Sequence, residues 1–332
     1  MAELDIFNPQ VSVVAKGLEG KVILIYGGNS LGKTKQCSRM KNPLFLSFES
    51  GLNAIQGINY MNIQTWSDFK RVNKQLTSIS TIDQAKKLYS TIIFDEVYAS
   101  AQFCQEYICN KYKSPSIGEG NGGYGLWDKY ESEYWREINR LVNAGYTVIF
   151  IAHEQELKDG TMYPKGDKRS INPIIDNCDI IMYLHSNGID SDGKVIKSSG
   201  YLAEVPGMFF ARSRFDYMVT KIDEFTAENL EAAIEEGIRK QEEAEGFSAV
   251  SFKTQKESKE VNKIPFNVLK EKVLELGGKV AEAGFVTELQ DIVKDNLGAD
   301  QLVADTTERQ YESLELILDD LNILITNKEI NI

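Results

Sequence analysis

The chain has 332 residues, of which 42% are hydrophobic and 26% are charged, and its formal net charge is -12. This composition is that of a globular protein and excludes disordered and fibrous classes, and the length fits one large domain with an appendage or two domains. The longest apolar run, at 148–152, is far shorter than the roughly 20 residues of a membrane span.

The first residues are acidic and lack the basic and apolar segments of a secretory signal. We therefore expect a cytoplasmic protein with no membrane partner. In that reducing compartment the cysteines are predicted to be free thiols; they are Cys37, Cys104, Cys109 and Cys178. There is no C-x-x-C pair and there are only two histidines, so the spacing of zinc ligands is absent.

The negative charge is confined to the last third of the chain. Residues 1–220 carry equal numbers of acidic and basic side chains, and the whole excess lies in residues 221–332. A uniformly acidic protein would repel nucleic acid. A neutral body with an acidic appendage leaves a nucleic-acid function open.

Short apolar runs alternate with helix-like segments through the first 220 residues. The runs lie at 22–26, 44–48, 91–94, 147–151, 180–184 and 209–219. Runs of this length, rich in β-branched and aromatic residues, are typical of strands buried on both faces of a parallel sheet. The alternation predicts an α/β fold with a mainly parallel sheet flanked by helices.

The first predicted strand is followed by the phosphate-loop pattern G-x-x-x-x-G-K-[ST]. Its residues are Gly27, Gly28, Asn29, Ser30, Leu31, Gly32, Lys33 and Thr34. Glycines let successive backbone N–H groups point at phosphate oxygens. In this strand–loop–helix setting, with a helix expected over 33–40, Lys33 is predicted to bind the β- and γ-phosphates and Thr34 the Mg²⁺ of bound ATP.

Carboxylates end two further predicted strands. Asp95 closes the run at 91–94 and is the natural second protein ligand for Mg²⁺. Hydrolysis also needs a base that activates water, and two residues are candidates: Glu96, directly after Asp95, and Glu49, which closes the run at 44–48.

This order of parts resembles the RecA/RadA-like ATPase core, and more closely the phage-encoded recombination ATPases, also described as phage nucleotide-binding proteins of AAA type. The resemblance covers residues 10–220. It implies a RecA-like P-loop core that hydrolyses ATP with Mg²⁺, binds single-stranded DNA and assembles into an oligomer or filament. It also maps the family's catalytic glutamate onto Glu49, which we prefer over Glu96.

The resemblance further implies a polar residue at the end of the fourth core strand that senses the γ-phosphate. In this chain His153 holds that place, and Gln155 is the alternative because RecA has a glutamine there. A basic finger that completes the site of a neighbouring subunit is implied on a late core strand, where Arg214 is the first candidate and Arg212 the second.

In RecA-like proteins, one loop after the helix that follows the third strand, which ends at Asp95 here, and another loop after the fourth strand contact single-stranded DNA. The corresponding polar segments here are 114–125 and 158–170. Cations that bind the backbone, together with an aromatic ring that stacks on bases, are the expected chemistry. The candidates are Lys111, Lys113 and Tyr124 for the first segment and Lys158, Lys165, Lys168 and Arg169 for the second. Trp66, Trp127 and Trp135 are predicted to be packing residues.

The pattern changes after the predicted core. We predict an ATPase domain at 1–222, a charged helix and linker at 223–263, and an acidic helical module at 264–332. The module is predicted to bind a single-strand-binding or other replication protein, to regulate access to DNA, or to solubilise the chain. The alternative to a DNA-dependent ATPase is a nucleotide-dependent switch or assembly ATPase that acts on a protein through this module; a small-molecule kinase ranks last, because no arginine-rich lid is evident.

Overall fold

A computed structural model describes residues 6–7, 9, 11–49, 55–259 and 264–330. These residues fall into two compact units, one within Gln10–Lys259 and one within Met1–Pro9 together with Glu260–Ile332. In this described part of the chain, no helix is both long and apolar enough to cross a membrane.

The larger unit contains one mixed sheet and eight helices among its described residues. The strands are β1 (Val22–Gly27), β2 (Pro43–Ser47), β3 (Tyr60–Asn62), β4 (Thr91–Asp95), β5 (Thr147–Glu156), β6 (Met162–Pro164), β7 (Ile180–His185), β8 (Ser199–Tyr201), β9 (Arg212–Ser213) and β10 (Lys221–Ile222). The helices are α1 (Lys33–Cys37), α2 (Trp66–Thr77), α3 (Ile82–Leu88), α4 (Val97–Tyr112), α5 (Trp127–Asn143), α6 (Lys168–Asn177), α7 (Ala227–Glu245) and α8 (Phe252–Lys259).

The sheet has the strand order β10-β8-β7-β1-β5-β4-β2-β3, with β6 paired to β5 and β9 to β7. The six strands from β7 to β3 are parallel, whereas β6, β8, β9 and β10 pair antiparallel with their neighbours. Strand β1 is buried along its whole length, as its run of branched apolar residues predicts for a central parallel strand. The predicted α/β fold with a mainly parallel sheet is confirmed.

Each face of the sheet is covered by its own apolar core. One core lies under α2, α4, α5 and α6 and contains buried aromatic residues such as Trp66, Phe94 and Tyr134. The other contains Cys37 of α1 and residues Leu230 and Ile234 of α7. The four cysteines are free, as expected, and all but Cys109 are buried.

Three predicted elements differ in extent from those observed. The helix expected over 33–40 ends at Cys37. Of the run at 209–219, only β9 forms a strand, and after it the Ser213 hydroxyl accepts a hydrogen bond from Phe215 N where the chain turns. The polar segment 158–170 is mostly not a loop: it holds the turn between β5 and β6, strand β6 and the first residues of α6.

The charged helix after the core belongs to the larger compact unit. Thr226 caps the amino end of α7 by accepting a hydrogen bond from Asn229 N. Leu230, Ile234 and Ile238 repeat at helical spacing and are buried in the sheet core, while the opposite face is charged. The compact unit therefore extends past the domain boundary that we predicted at residue 222.

The smaller unit has three helices among its described residues: α9 (Phe266–Glu282), α10 (Val286–Leu297) and α11 (Tyr311–Asn327). Its core contains Leu269, Val273, Leu314, Ile317 and Leu321, which repeat at helical spacing within α9 and α11. The helices therefore bury a small hydrophobic core of their own.

Candidate functional site

The candidate site lies at the carboxyl edge of the parallel strands. Strand β5 lies between β1 and β4, and residue 27 at the end of β1 is in register with His153. Ser47 pairs with Asp95 at the ends of β2 and β4. The phosphate loop and the predicted polar strand ends are thus brought to one edge, the position at which parallel α/β sheets bind ligands.

The phosphate loop has a backbone that needs its glycines. Gly27 has φ 152° and Gly32 has φ 87°, and a Cβ at Gly27 would lie 2.6 Å from the carbonyl oxygen of Leu184. Ser30 also adopts a positive φ of 62°. A loop of this shape turns backbone N–H groups toward a shared point, as anion binding requires.

Lys33 extends back over the phosphate loop. Its ammonium donates hydrogen bonds to the carbonyl oxygens of Gly27 (2.7 Å) and Gly28 (2.6 Å), and the side chain is buried. Burial lowers the pKa of Lys33. These carbonyl contacts hold the cation at the loop, where phosphate oxygens are natural replacement acceptors.

Thr34 and Asp95 are brought together from α1 and β4. The Thr34 hydroxyl donates to a carboxylate oxygen of Asp95 over 3.2 Å, and burial raises the pKa of Asp95. A hydroxyl and a carboxylate at this separation beside a phosphate loop form the oxygen donor set that Mg²⁺ prefers. The residues present therefore fit a nucleotide-bound Mg²⁺.

The two candidate bases have different surroundings. Glu96 is 3% exposed and caps α4, since its carboxylate accepts hydrogen bonds from Tyr98 N and Ala99 N. Burial raises the pKa of Glu96 to about 7, and the negative charge of Glu49 adds to the shift. Glu49 is exposed at the same edge, so it keeps access to a water molecule.

His153 rather than Gln155 lies beside the phosphate loop. Burial lowers the pKa of His153, and the positive charge of Lys33 lowers it further. The Gln155 amide donates to the carbonyl oxygens of Pro164 and Gly166 and so fixes the connection after β6. Of the two predicted sensors, His153 has the position for contact with a nucleotide.

Glu154 is a site residue that sequence reasoning missed. A Cβ at Gly28 would lie 3.0 Å from its Oε1, and its negative charge acts on Lys33. Its buried Oε2 has no hydrogen-bond partner within the described ranges. A charged residue two positions after the buried run at 147–152 was the available signal, but the alternation of side chains along a strand leaves open which face Glu154 occupies.

Lys165, predicted as a DNA contact, lies at the same edge of the sheet as the phosphate loop, which we call the nucleotide edge. Its backbone N–H donates to the carbonyl oxygen of His153 over 2.8 Å. Burial has the largest effect on the pKa of Glu96 and on that of His153, and the positive charge of Lys165 lowers both pKa values. Lys165 therefore lies within electrostatic reach of the candidate catalytic groups.

The other predicted DNA residues divide into two places. Lys111 lies in the last turn of α4 and Lys113 follows that helix. Tyr124, Lys168 and Arg169 line one cavity of about 470 Å³, and Trp127, predicted as a packing residue, lines it as well. Trp66 and Trp135 are buried in the core, as expected.

The two predicted finger arginines lie near the amino end of β7. Ser213 and Arg212 pair with Ile180 and Ile181 at the start of β7. The phosphate loop follows the end of β1, which runs parallel to β7, and therefore lies at the opposite edge of the sheet. Arg212 donates to carbonyl oxygens at the end of α6, including that of Ile175 (2.8 Å). Arg214 donates to Asp176 O and forms an ion pair with Asp179. Neither arginine reaches the phosphate loop of its own chain.

Comparison with known proteins gives the class. Residues 19–215 match the AAA domain family, and this match spans more than half of the chain and contains the phosphate loop, Asp95 and His153. The chain therefore belongs to that family of P-loop nucleotide-binding proteins.

A particular relative supports a phage connection. The chain is 54% identical over 322 residues to the SPbeta prophage-derived uncharacterized protein YorG of Bacillus subtilis (strain 168), a match that covers 97% of this chain and 99% of that protein. These findings confirm the coarser part of the sequence prediction, a P-loop protein of phage type. The specific RecA-like activity stays a prediction.

Proposed function

We propose that the chain is a Mg²⁺-dependent ATPase of RecA-like type that acts on single-stranded DNA in phage recombination or strand annealing, within the host cytoplasm. The observation that carries the proposal is the short stretch of chain between the phosphate-loop edge of the sheet and the cavity lined by Tyr124. Lys165 lies at the nucleotide edge, and Lys168 and Arg169, three and four residues later, line the cavity with Tyr124. This segment offers a direct route for coupling DNA binding to ATP turnover.

The chemistry follows from the groups at the sheet edge. Lys33 and the loop N–H groups bind the phosphate oxygens, and Thr34 and Asp95 would hold the Mg²⁺, which offsets phosphate charge when bound. Glu49 accepts the proton of the attacking water at its carboxylate. His153, whose pKa is lowered by burial, donates or accepts one hydrogen bond beside the γ-phosphate as a neutral imidazole.

An assembly of several copies is part of the proposal. Arg212 and Arg214 lie at the opposite end of the strands from their own phosphate loop, so they can act on a nucleotide only in another copy. The side chain of Arg214 is 48% exposed. This placement supports a basic finger that works between subunits of an oligomer or filament.

The test is ATP hydrolysis by the full chain, measured with and without single-stranded DNA at low salt. We expect hydrolysis that DNA stimulates, with Lys33→Ala as the control that abolishes nucleotide binding. Absence of stimulation together with absence of DNA binding at low salt would show that the proposed function is wrong.

A second candidate is a nucleotide-dependent switch or assembly ATPase that acts on a protein partner. It is favoured by the smaller unit, which has its own core and whose residues 260–332 carry 15 acidic and 7 basic side chains. Such a surface suits a basic partner, including a replication protein. Slow turnover that DNA leaves unchanged, with partner capture lost on removal of this unit, would identify that function.

A further inference from the structure

The cavity beside α6 is built from groups that recognise nucleobases. The Arg169 guanidinium lies over the Trp127 ring at 5.4 Å from its centroid, and Arg169 itself is exposed. A guanidinium held on an indole keeps its outer plane available for stacking. Bases of single strands stack on planes of this kind.

Tyr124 supplies a second ring at the same cavity. It is 87% exposed and lies between glycines that adopt positive φ, Gly123 at 92° and Gly125 at 83°. Gly125 also packs closely on Trp127, since a Cβ there would lie 2.8 Å from the Trp127 ring. Tyr124 thus lies at the same cavity as the Trp127–Arg169 pair, with its ring exposed.

The polar lining indicates which part of a nucleotide enters. The cavity has two cations, Lys168 and Arg169, and three carboxylates, Asp128, Glu131 and Asp176. An excess of carboxylates repels a phosphate, but carboxylates accept hydrogen bonds from the exocyclic amino groups of bases. Asn172 also lines the cavity, and its amide oxygen accepts a hydrogen bond from Tyr163 over 3.4 Å.

We propose that this cavity binds one nucleobase of single-stranded DNA, stacked between Tyr124 and the Trp127–Arg169 pair, and that it prefers bases with an exocyclic amino group. The proposal rests on the proposed function. Lys168 contacts the adjoining phosphate at the rim, and the carboxylates favour cytosine over thymine. Trp127, which we first expected to be only a packing residue, is in this way part of the base platform.

The test compares three fluorescently labelled strands of about 16 nucleotides, a length within the site sizes of single-strand-binding proteins: oligo-dC, oligo-dT and an abasic strand. The full-length chain should bind oligo-dC more tightly than oligo-dT, and both more tightly than the abasic strand. Tyr124→Ala and Arg169→Lys should each weaken oligo-dC binding about tenfold and leave abasic-strand binding unchanged. Arg169→Lys keeps the positive charge and removes only the planar stacking group.

Tyr60→Ala is the matched control, because Tyr60 is an exposed aromatic residue (56%) on β3, and its oligo-dC affinity should equal that of the unmodified chain. A second readout is tryptophan fluorescence: of the three tryptophans, Trp66 and Trp135 are buried, so oligo-dC should change the emission of the natural chain but not that of Trp127→Phe.

Equal affinity for oligo-dC and the abasic strand, equal affinity for oligo-dC and oligo-dT, or variants that weaken all strands alike would each overturn the base site while leaving DNA binding intact. A chain that binds none of the strands contradicts the proposed function itself.

Discussion

Two carboxylates, Glu49 and Glu96, lie at the same edge of the sheet as the phosphate loop but differ in their surroundings. Glu96 is buried and uses its oxygens to cap α4, whereas Glu49 is exposed. The raised pKa of Glu96 makes it the stronger base, but its burial keeps water from its oxygens, which already accept hydrogen bonds from the backbone N–H groups of Tyr98 and Ala99. The geometry supports the assignment of Glu49 as base.

Glu49→Gln should bind ATP normally and lose hydrolysis by about a hundredfold or more, the usual contribution of a general base. Glu96→Gln should retain most of its turnover and lose about 1 kcal/mol of stability, because the cap of α4 is weakened. Nucleotide binding and steady-state hydrolysis of both variants check this. Normal hydrolysis in Glu49→Gln, or its loss only in Glu96→Gln, would refute the assignment.

A buried lysine makes the free energy of unfolding depend on pH in the alkaline range. Lys21 is 5% exposed, donates to Ala15 O over 2.9 Å, and burial lowers its pKa to about 8. Between about pH 8 and the ordinary lysine value, the unfolded chain holds a proton that the native chain has lost. The native state therefore gains stability as pH rises through this range.

Lys21→Met removes this titration. The unfolding free energy of the natural chain, relative to Lys21→Met, should rise by about 3 kcal/mol between pH ~7 and pH ~11, the equivalent of the pKa shift. Denaturant titrations across that range measure it. Lys16→Met is the control for the loss of an exposed lysine, since the Lys16 side chain is 63% exposed. A flat difference for Lys21→Met would contradict the prediction.

Among the elements, α2 and α5 are joined by a buried charge cluster. The Lys70 ammonium lies 2.7 Å from an oxygen of Glu133, which also accepts from the Trp66 indole. Glu137 is buried too and accepts a hydrogen bond from Asn73 at 2.9 Å. A buried carboxylate is costly without such partners, so these contacts specify how the two helices pack.

Lys70→Met should destabilise the chain by about 2 kcal/mol, because Glu133 is left buried with Arg136 as its remaining cation. Urea denaturation measures the change. Lys74→Met, at an exposed position one turn further along α2, should cost less than about 0.5 kcal/mol. Equal losses in the two variants would show that the ion pair adds nothing to the packing of α2 on α5.

At the scale of the whole molecule, the acidic last third of the chain is divided between the two compact units. A truncation from residue 221 would remove α7, whose Leu230 and Ile234 are buried in the sheet core. A truncation after Lys259 leaves the larger unit intact. It still removes eight net negative charges, since residues 260–332 hold 15 acidic and 7 basic side chains.

Removal of residues 260–332 should leave ATP hydrolysis in place and keep or increase the affinity for single-stranded DNA, because a repulsive charge is lost. DNA binding at two salt concentrations measures the effect, and any gain should shrink at high salt. The matching chain truncated after Thr220 should be unfolded. A large loss of DNA affinity in the first truncation would assign DNA binding to the smaller unit.

Local sequence was sufficient to predict most of the strands and helices and the shape of the phosphate loop. Branched apolar runs specify buried parallel strands, and the phosphate-loop pattern depends only on neighbouring residues, so Lys33, Thr34 and the loop glycines were predictable from their spacing. Asp95 was predictable as well, because a polar residue that ends a buried parallel strand lies at the ligand-binding edge of the sheet.

Tertiary structure decided which distant residues meet. The hairpin of β5 and β6 brings Lys165 back to the nucleotide edge, and the packing of α6 beside the Gly-rich segment sets Arg169 on Trp127. The charges of α7 suggested a helix outside the core, but its apolar face is buried in the sheet core of the larger unit. Counting along the sequence assigns the net charge of -12 to the last third of the chain. Only the tertiary structure shows that this acidic stretch is divided between a helix of the larger unit and a separate helical unit. The reason is that the order of residues along the chain does not specify which surfaces are buried together.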